Sequence, residues 1–282
     1  MNRKIKAINK GFETRDGAGV HLTRVLSRRT IDNHDPFIML DSFDTTDPSD
    51  YINGFPEHPH RGIETISYIY SGGMVHGDSL GNVDEVTSGG VQWMTAGSGI
   101  LHSETIPATK RMLGVQLWLN LSKANKFVTP EYHHISKEEI EEIEFDGGYL
   151  RLLAGKYKDH TGFMSHYQPL DYYDVHLEPG KSFQVDVDEN KSITLFTLIG
   201  EIEVEGQKVE EKTAVALDKG DKVSFKNIGD EESYTLFLSS DAINEKVAWG
   251  GPVVMNSMPE VYEAFRELRE GTFIKVKIEF NK

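Results

Sequence analysis

TISYIYSGGMVHG, residues 65–77, is a β-branched and aromatic run, a Gly-Gly turn and a second short run. The same rhythm recurs along the chain. VTSGGVQWMTAG (86–97), MLGVQLWLNL (112–121), YDVHLEPGKSFQVDV (173–187), SITLFTLIGEIEVEG (192–206) and YTLFLSS (234–240) are all short apolar or aromatic runs, most of them beside glycine turns. Short strands at close intervals mark antiparallel sandwiches or barrels, not alternating βαβ units. The 26 glycines suit a chain of many tight turns and bends. The expected fold class is all-β.

Two segments read as helix. SKEEIEEIEF (136–145) opens with a Ser/Glu capping pattern and is acidic in its first turn, which predicts a short linker helix. SMPEVYEAFRELREG (257–271) places Val261, Phe265 and Leu268 on one helical face, with Gly271 as a stop. A lone amphipathic helix has to bury its stripe, so it is expected to pack back on a β module. The economical reading is two tandem antiparallel β-barrels over 1–135 and 148–240. A linker covers 136–147, and the 241–282 tail carries its helix back to the first barrel.

Composition bounds the function. The chain has 282 residues, 38% hydrophobic and 27% charged, with a net charge of −15. Binding to duplex DNA or an anionic membrane rests on neutralising phosphates with Lys and Arg, so this balance argues against direct contact with either. There is no cysteine, which excludes disulfides, thiolate nucleophiles and Cys-based metal sites. No run approaches the roughly 20 apolar residues of a spanning helix. These features point to a cytoplasmic protein.

Chemistry gathers in two stretches. FPEHPHRGIETISY (55–68) carries His58 and His60, and QWMTAGSGILHSETI (92–106) carries His102 and Glu104. Residues i and i+2 on a strand point to one face. Pro59 biases His58 to an extended conformation, which suits the pair. Two such strands facing one interior would present three imidazoles and one carboxylate to a point. That donor set suits a divalent transition metal, with iron, manganese, nickel, copper and zinc all admitted. One HxH pair alone is an unspecific signal; an HxE pair some forty residues later in an all-β chain strengthens it.

Other features read as structure. Gly97-Ser98-Gly99 precedes the HxE strand and does not open a helix, so it is a barrel turn and not a phosphate loop. His133 and His134 fall at a module edge. His76 follows a Gly-Gly turn. Gln116 and Trp118 share one strand face, and Val115, Leu117 and Leu119 share the other. Asp186 and Asp188 form a solvated hairpin pair. The last histidine is His176, so a second barrel has no second ligand set and is expected to be metal-free.

FPEHPHRGIETISY, QWMTAGSGILHSE, GVQLWLNL, the PEYH segment (130–133) and GGPVVMN (250–256) together resemble the pirin family of the cupin superfamily. The resemblance implies a bicupin, two double-stranded β-helix barrels with one metal site in the first. It implies His58, His60, His102 and Glu104 as ligands. Iron(II) comes first, with nickel, copper, manganese, cobalt or zinc as alternatives. Glu64, where many other cupins place a carboxylate ligand, is instead expected in a supporting role near Arg61. The activity implied is that of a quercetin 2,3-dioxygenase: oxygen-dependent cleavage of a flavonol, with Glu104 as general base and Phe55 and Met94 as apolar walls. The alternative is a non-enzymatic, metal-binding regulator that engages a protein partner.

Overall fold

A computed structural model describes residues 1–276. The chain forms two compact units. One comprises residues 1–12, 23–38 and 138–242, and the other 13–22, 39–137 and 243–282. Each contains a cupin domain of two antiparallel sheets, so the all-β bicupin expectation holds.

In the unit that contains both histidine-bearing stretches, the larger sheet is built around Ile63–Ser71 and Met112–Asn120, which pair along their whole length. Its seven strands run in the order Glu131–Ile135, Val91–Thr95, Ile63–Ser71, Met112–Asn120, Phe37–Thr45, Val20–Leu26 and Phe12–Asp16. A four-stranded sheet orders Phe55–His60, Ile100–Thr105, Gly73–Asp78 and Val83–Thr87. Residues 63–69 are all buried, so this strand is covered on both faces although Glu64, Thr65 and Ser67 are polar. A core of Ile69, Met74, Val86, Ile106 and Met112 joins the two sheets, with Phe55 packed against it.

The other unit repeats the plan. Seven strands pair in the order Ile5–Lys10, Thr213–Leu217, Lys191–Ile199, Ser233–Asp241, Leu170–Leu177, Gly148–Ala154 and Glu141–Phe145. Four more order Ser182–Asp186, Lys222–Asn227, Ile202–Val204 and Gln207–Val209. Leu150, Val175, Phe183, Leu195, Val215, Phe225 and Phe237 fill the space between them. The expected division began the first barrel at residue 1. Ile5–Lys10 instead pairs with Thr213–Leu217, a partner more than 200 residues away that local pattern cannot reveal.

The linker helix over 136–145 does not form. Ile140 and Ile143 are spaced for a helix, but Glu141–Phe145 is a strand. Asp146-Gly147 is a two-residue turn that returns it onto Gly148–Ala154, pairing Phe145 with Gly148 and Ile143 with Leu150. Gly147 supplies the left-handed φ of 93° the turn requires. A ten-residue helix lacks the length to offset its nucleation, and Ile143 gains the apolar core as a strand residue.

The C-terminal helix is present as Met258–Glu270. Gly271, at φ 71°, caps it through its N–H to the Glu267 and Leu268 carbonyls. Val261 and Ala264 are buried against Ala248, Val253, Met255 and Phe273, with Phe265 and Leu268 at the margin. No helix among the described residues is long and apolar enough to cross a membrane.

Candidate metal centre

Antiparallel pairing of Phe55–His60 with Ile100–Thr105 brings the two histidine-bearing stretches together. His58 lies opposite His102, and Ile100 opposite His60. The available ring nitrogens of His58, His60 and His102 lie within 4.8 Å of one another. Ring centroids are 4.8 Å apart for His58–His60, 4.3 Å for His58–His102 and 5.0 Å for His60–His102.

Hydrogen bonds set the tautomers. His58 Nδ1–H donates to the Pro56 carbonyl at 2.8 Å, and His60 Nδ1–H to the Pro252 carbonyl at 3.1 Å. Each ring is thereby left with a lone pair on Nε2, and these two nitrogens face each other at 3.1 Å. Neither ring nitrogen of His102 has a hydrogen-bond partner, although both are buried. An unsatisfied buried polar group costs about 1–3 kcal/mol. Burial lowers the His60 pKa to about 3, with His58 beside it adding to the effect. Burial, then His60, His58 and His76, holds His102 well below the ordinary imidazole value. Burial thus favours the neutral, metal-binding form of His60 and His102, and the ring nitrogens of the three histidines converge, which is what a metal ion requires. The three histidines fit a divalent transition metal and could hold one.

Glu104 sits two residues beyond His102, after an irregularity in the ladder, and is fully buried. Its Oε1 accepts from Gln92 Nε2 at 2.9 Å and Gln116 Nε2 at 3.0 Å, and its Oε2 from Gln116 at 3.1 Å. Burial raises its pKa, while His58, then the Gln116 bond, then His76 and the Gln92 bond oppose that rise. The compact group of converging nitrogens consists of the three histidines.

The cross-strand register answers which face of Met112–Asn120 looks inward. Gln116 pairs with Ser67 and Trp118 with Thr65, while Gln92 and Met94 oppose Ser67 and Thr65 from the other side. These residues share one face. Gln116 holds Glu104, and Trp118 packs edge-on to His60 at 4.9 Å. Phe55 lies 6.5 Å from His58 between centroids. Glu64 takes the opposite face, where Trp93 Nε1 and Thr95 Oγ1 donate to it at 3.1 and 2.7 Å. The Arg61 guanidinium is held by Ser98, Phe273 and Glu267.

His76 belongs to the site's surroundings. It pairs in register with Glu104, its ring is 5.4 Å from His102, and it stacks on Tyr132 at 4.3 Å. Its Nε2–H donates to Asp78 Oδ2 at 2.9 Å. Gln92, Gln116 and the Pro252 carbonyl had no sequence signal of their own. Only strand alternation around Met94 and Trp118 hinted at the two glutamines.

Residues 19–119 match the sequence profile described as Pirin, and residues 172–274 that described as Pirin C-terminal cupin domain. A pirin-like protein of Caulobacter vibrioides is 37% identical over 275 residues, covering 96% of this chain and 99% of that protein. The chain belongs to the pirin family. Pirin of Homo sapiens is 32% identical over 262 residues, covering 91% of this chain and 89% of the human protein. A crystal structure of a quercetin 2,3-dioxygenase from Acinetobacter baumannii is 30% identical. It superposes with a TM-score of 0.90 over 97% of this chain and 99% of its own.

Proposed function

We propose that this pirin is a metal-dependent dioxygenase that opens the heterocyclic ring of a flavonol such as quercetin with molecular oxygen, releasing carbon monoxide. The observation that carries the reading is the convergence of three imidazoles, one with both nitrogens unpartnered, beside a buried carboxylate. The likeness to the Acinetobacter quercetin 2,3-dioxygenase supports the substrate class.

His58, His60 and His102 would hold the ion through imidazole nitrogens, with Glu104 as the fourth ligand. Iron(II) is the first candidate, and the donor set also admits nickel, copper, manganese, cobalt and zinc. When bound, such an ion acidifies the flavonol 3-hydroxyl and leaves coordination positions for substrate and oxygen. The remaining work belongs to the chain. Glu104, if it holds the ion only loosely, takes the hydroxyl proton on a carboxylate oxygen, and burial raises its pKa in the direction a proton acceptor needs. Gln92 and Gln116 fix the carboxylate through three amide hydrogen bonds. Phe55 and Met94 form apolar walls for a flat aromatic substrate.

The test is reconstitution with each metal in turn, followed by quercetin consumption and carbon monoxide release under air. Turnover abolished by chelation supports the reading. Metal retained without turnover replaces it with a non-enzymatic regulator that binds a protein partner.

A further inference from the structure

His60 is oriented by residues far away in the chain. Its Nδ1–H donates to the Pro252 carbonyl, and Trp118, which packs on its ring, is backed by Trp249 at 5.7 Å. Trp249 and Pro252 belong to the hairpin formed by Ala248–Gly250 and Val253–Met255. That hairpin is tied directly to the residue after His60. The Val254 N–H donates to the Arg61 carbonyl at 3.1 Å, and Arg61 pairs with Val253.

The Arg61 side chain adds a second tie. It is 1% exposed. Its Nε donates to the Ser98 carbonyl at 2.7 Å, and Nη2 donates to the Phe273 carbonyl at 3.0 Å. Nη2 also lies 2.6 Å from a Glu267 oxygen, and the guanidinium sits 4.2 Å above the Phe273 ring. Ser98 lies in the turn that leads into the His102 strand. One planar group therefore joins the turns beside both ligand strands to the C-terminal helix and the chain that follows it. Lysine, a point charge on a flexible stem, cannot reproduce that fork.

Two glycines are shaped to this arrangement. A Cβ on Gly62 would stand 2.1 Å from the Val254 carbonyl oxygen, and one on Gly99 3.0 Å from both the ring and the carbonyl of Phe273. Both have positive φ, 79° and 136°. The backbone on either side of the histidines is thus pared down where residues 248–275 lie against it.

We infer that residues 248–275 are a strap, locked by Arg61, that holds His60 in its metal-binding orientation and so controls how fast the centre gives up its ion. The inference rests on the metal reading given above. Arg61 is a positioning residue: it touches neither ion nor substrate and acts through Pro252 and Trp118. Coupling of this kind is reciprocal, so metal binding must also steady the strap.

The experiment uses full-length protein loaded with Co2+, whose visible absorption reports its ligands. Release to excess EDTA is timed for wild type, Arg61→Lys and Phe273→Ala, and amide exchange at Val254 is measured with and without Co2+. Release about tenfold faster or more in the variants is expected, the scale seen when outer partners of metal ligands are lost. Co2+ should slow Val254 exchange in the wild type, and this protection should shrink in the variants. The Val254 measurement on wild type stands even if Arg61→Lys fails to fold. Release within twofold of wild type, with Val254 indifferent to Co2+, overturns the inference while leaving the metal reading intact. Lower thermal stability with an unchanged Co2+ spectrum and release rate assigns Arg61 a structural role only and also overturns it. A wild-type protein that takes up no Co2+ overturns both.

Discussion

His58 Nε2 and His60 Nε2 face each other at 3.1 Å, each with its Nδ1 hydrogen committed to a proline carbonyl. Two lone pairs at that separation repel unless a proton or a cation comes between them. Burial disfavours the proton on His60. The pair is therefore poised for a metal ion, and its removal has measurable consequences.

His102→Ala should give folded protein that retains little metal. The imidazole that is lost is the one with both nitrogens unpartnered, so few internal bonds go with it. In wild type, metal at 100 times its Kd should raise stability by about 2.7 kcal/mol, and this increment should vanish in the variant. Metal analysis beside thermal melts with and without added ion checks both statements.

Glu104→Gln should keep most of its metal yet lose turnover by roughly 100-fold or more, the range of a general base. An amide oxygen still coordinates weakly, but it takes no proton. Metal content measured beside the steady-state rate separates the two roles. Full activity in this variant would leave Glu104 as a plain ligand or a bystander.

Acid should weaken the fold through His34. This ring is buried: its Nε2–H donates to Asn9 Oδ1, and Thr194 Oγ1 donates to its Nδ1, both at 2.9 Å. Burial, aided by Lys6, lowers its pKa from 6.5 to about 4. Between those values the unfolded chain takes up a proton that the folded chain refuses, so stability falls as pH drops through that window. The contribution is of order 3 kcal/mol. Urea midpoints from pH 7 to pH 4 should show a shallower slope in His34→Gln than in wild type.

Gly62→Ala and Gly206→Ala should differ sharply, although φ is 79° at one and 75° at the other. Nothing lies within 4 Å of a Cβ at Gly206, so only backbone strain of about 1–3 kcal/mol applies. At Gly62 the new carbon would meet the Val254 carbonyl oxygen at 2.1 Å. Gly62→Ala should exceed the Gly206→Ala loss and weaken metal retention as well. Denaturation of the two variants side by side is the check.

The strand runs around Ile66, Trp93 and Leu117 showed the fold class plainly, because buried β-branched and aromatic runs between glycine turns admit few other readings. The three histidines were legible because i, i+2 spacing on a strand is a geometric statement. The helical spacing of Ile140 and Ile143 in residues 136–145 is outweighed by Asp146-Gly147, a turn signal that folds Glu141–Phe145 back onto Gly148–Ala154 as a hairpin. Gln92 and Gln116 were hidden because a polar residue on a buried strand could face either way. Pro252 was beyond any local reading, since its contribution is a main-chain carbonyl 192 residues from His60.

That separation has a cost in time. A ribosome adding 5–20 residues per second makes Pro252 roughly 10–40 s after His60, given the 192 residues between them. Throughout that interval the nascent His60 lacks the carbonyl that fixes its tautomer. The full set of partners around the three histidines is thus complete only once Pro252 has been made, well after His58, His60 and His102 themselves.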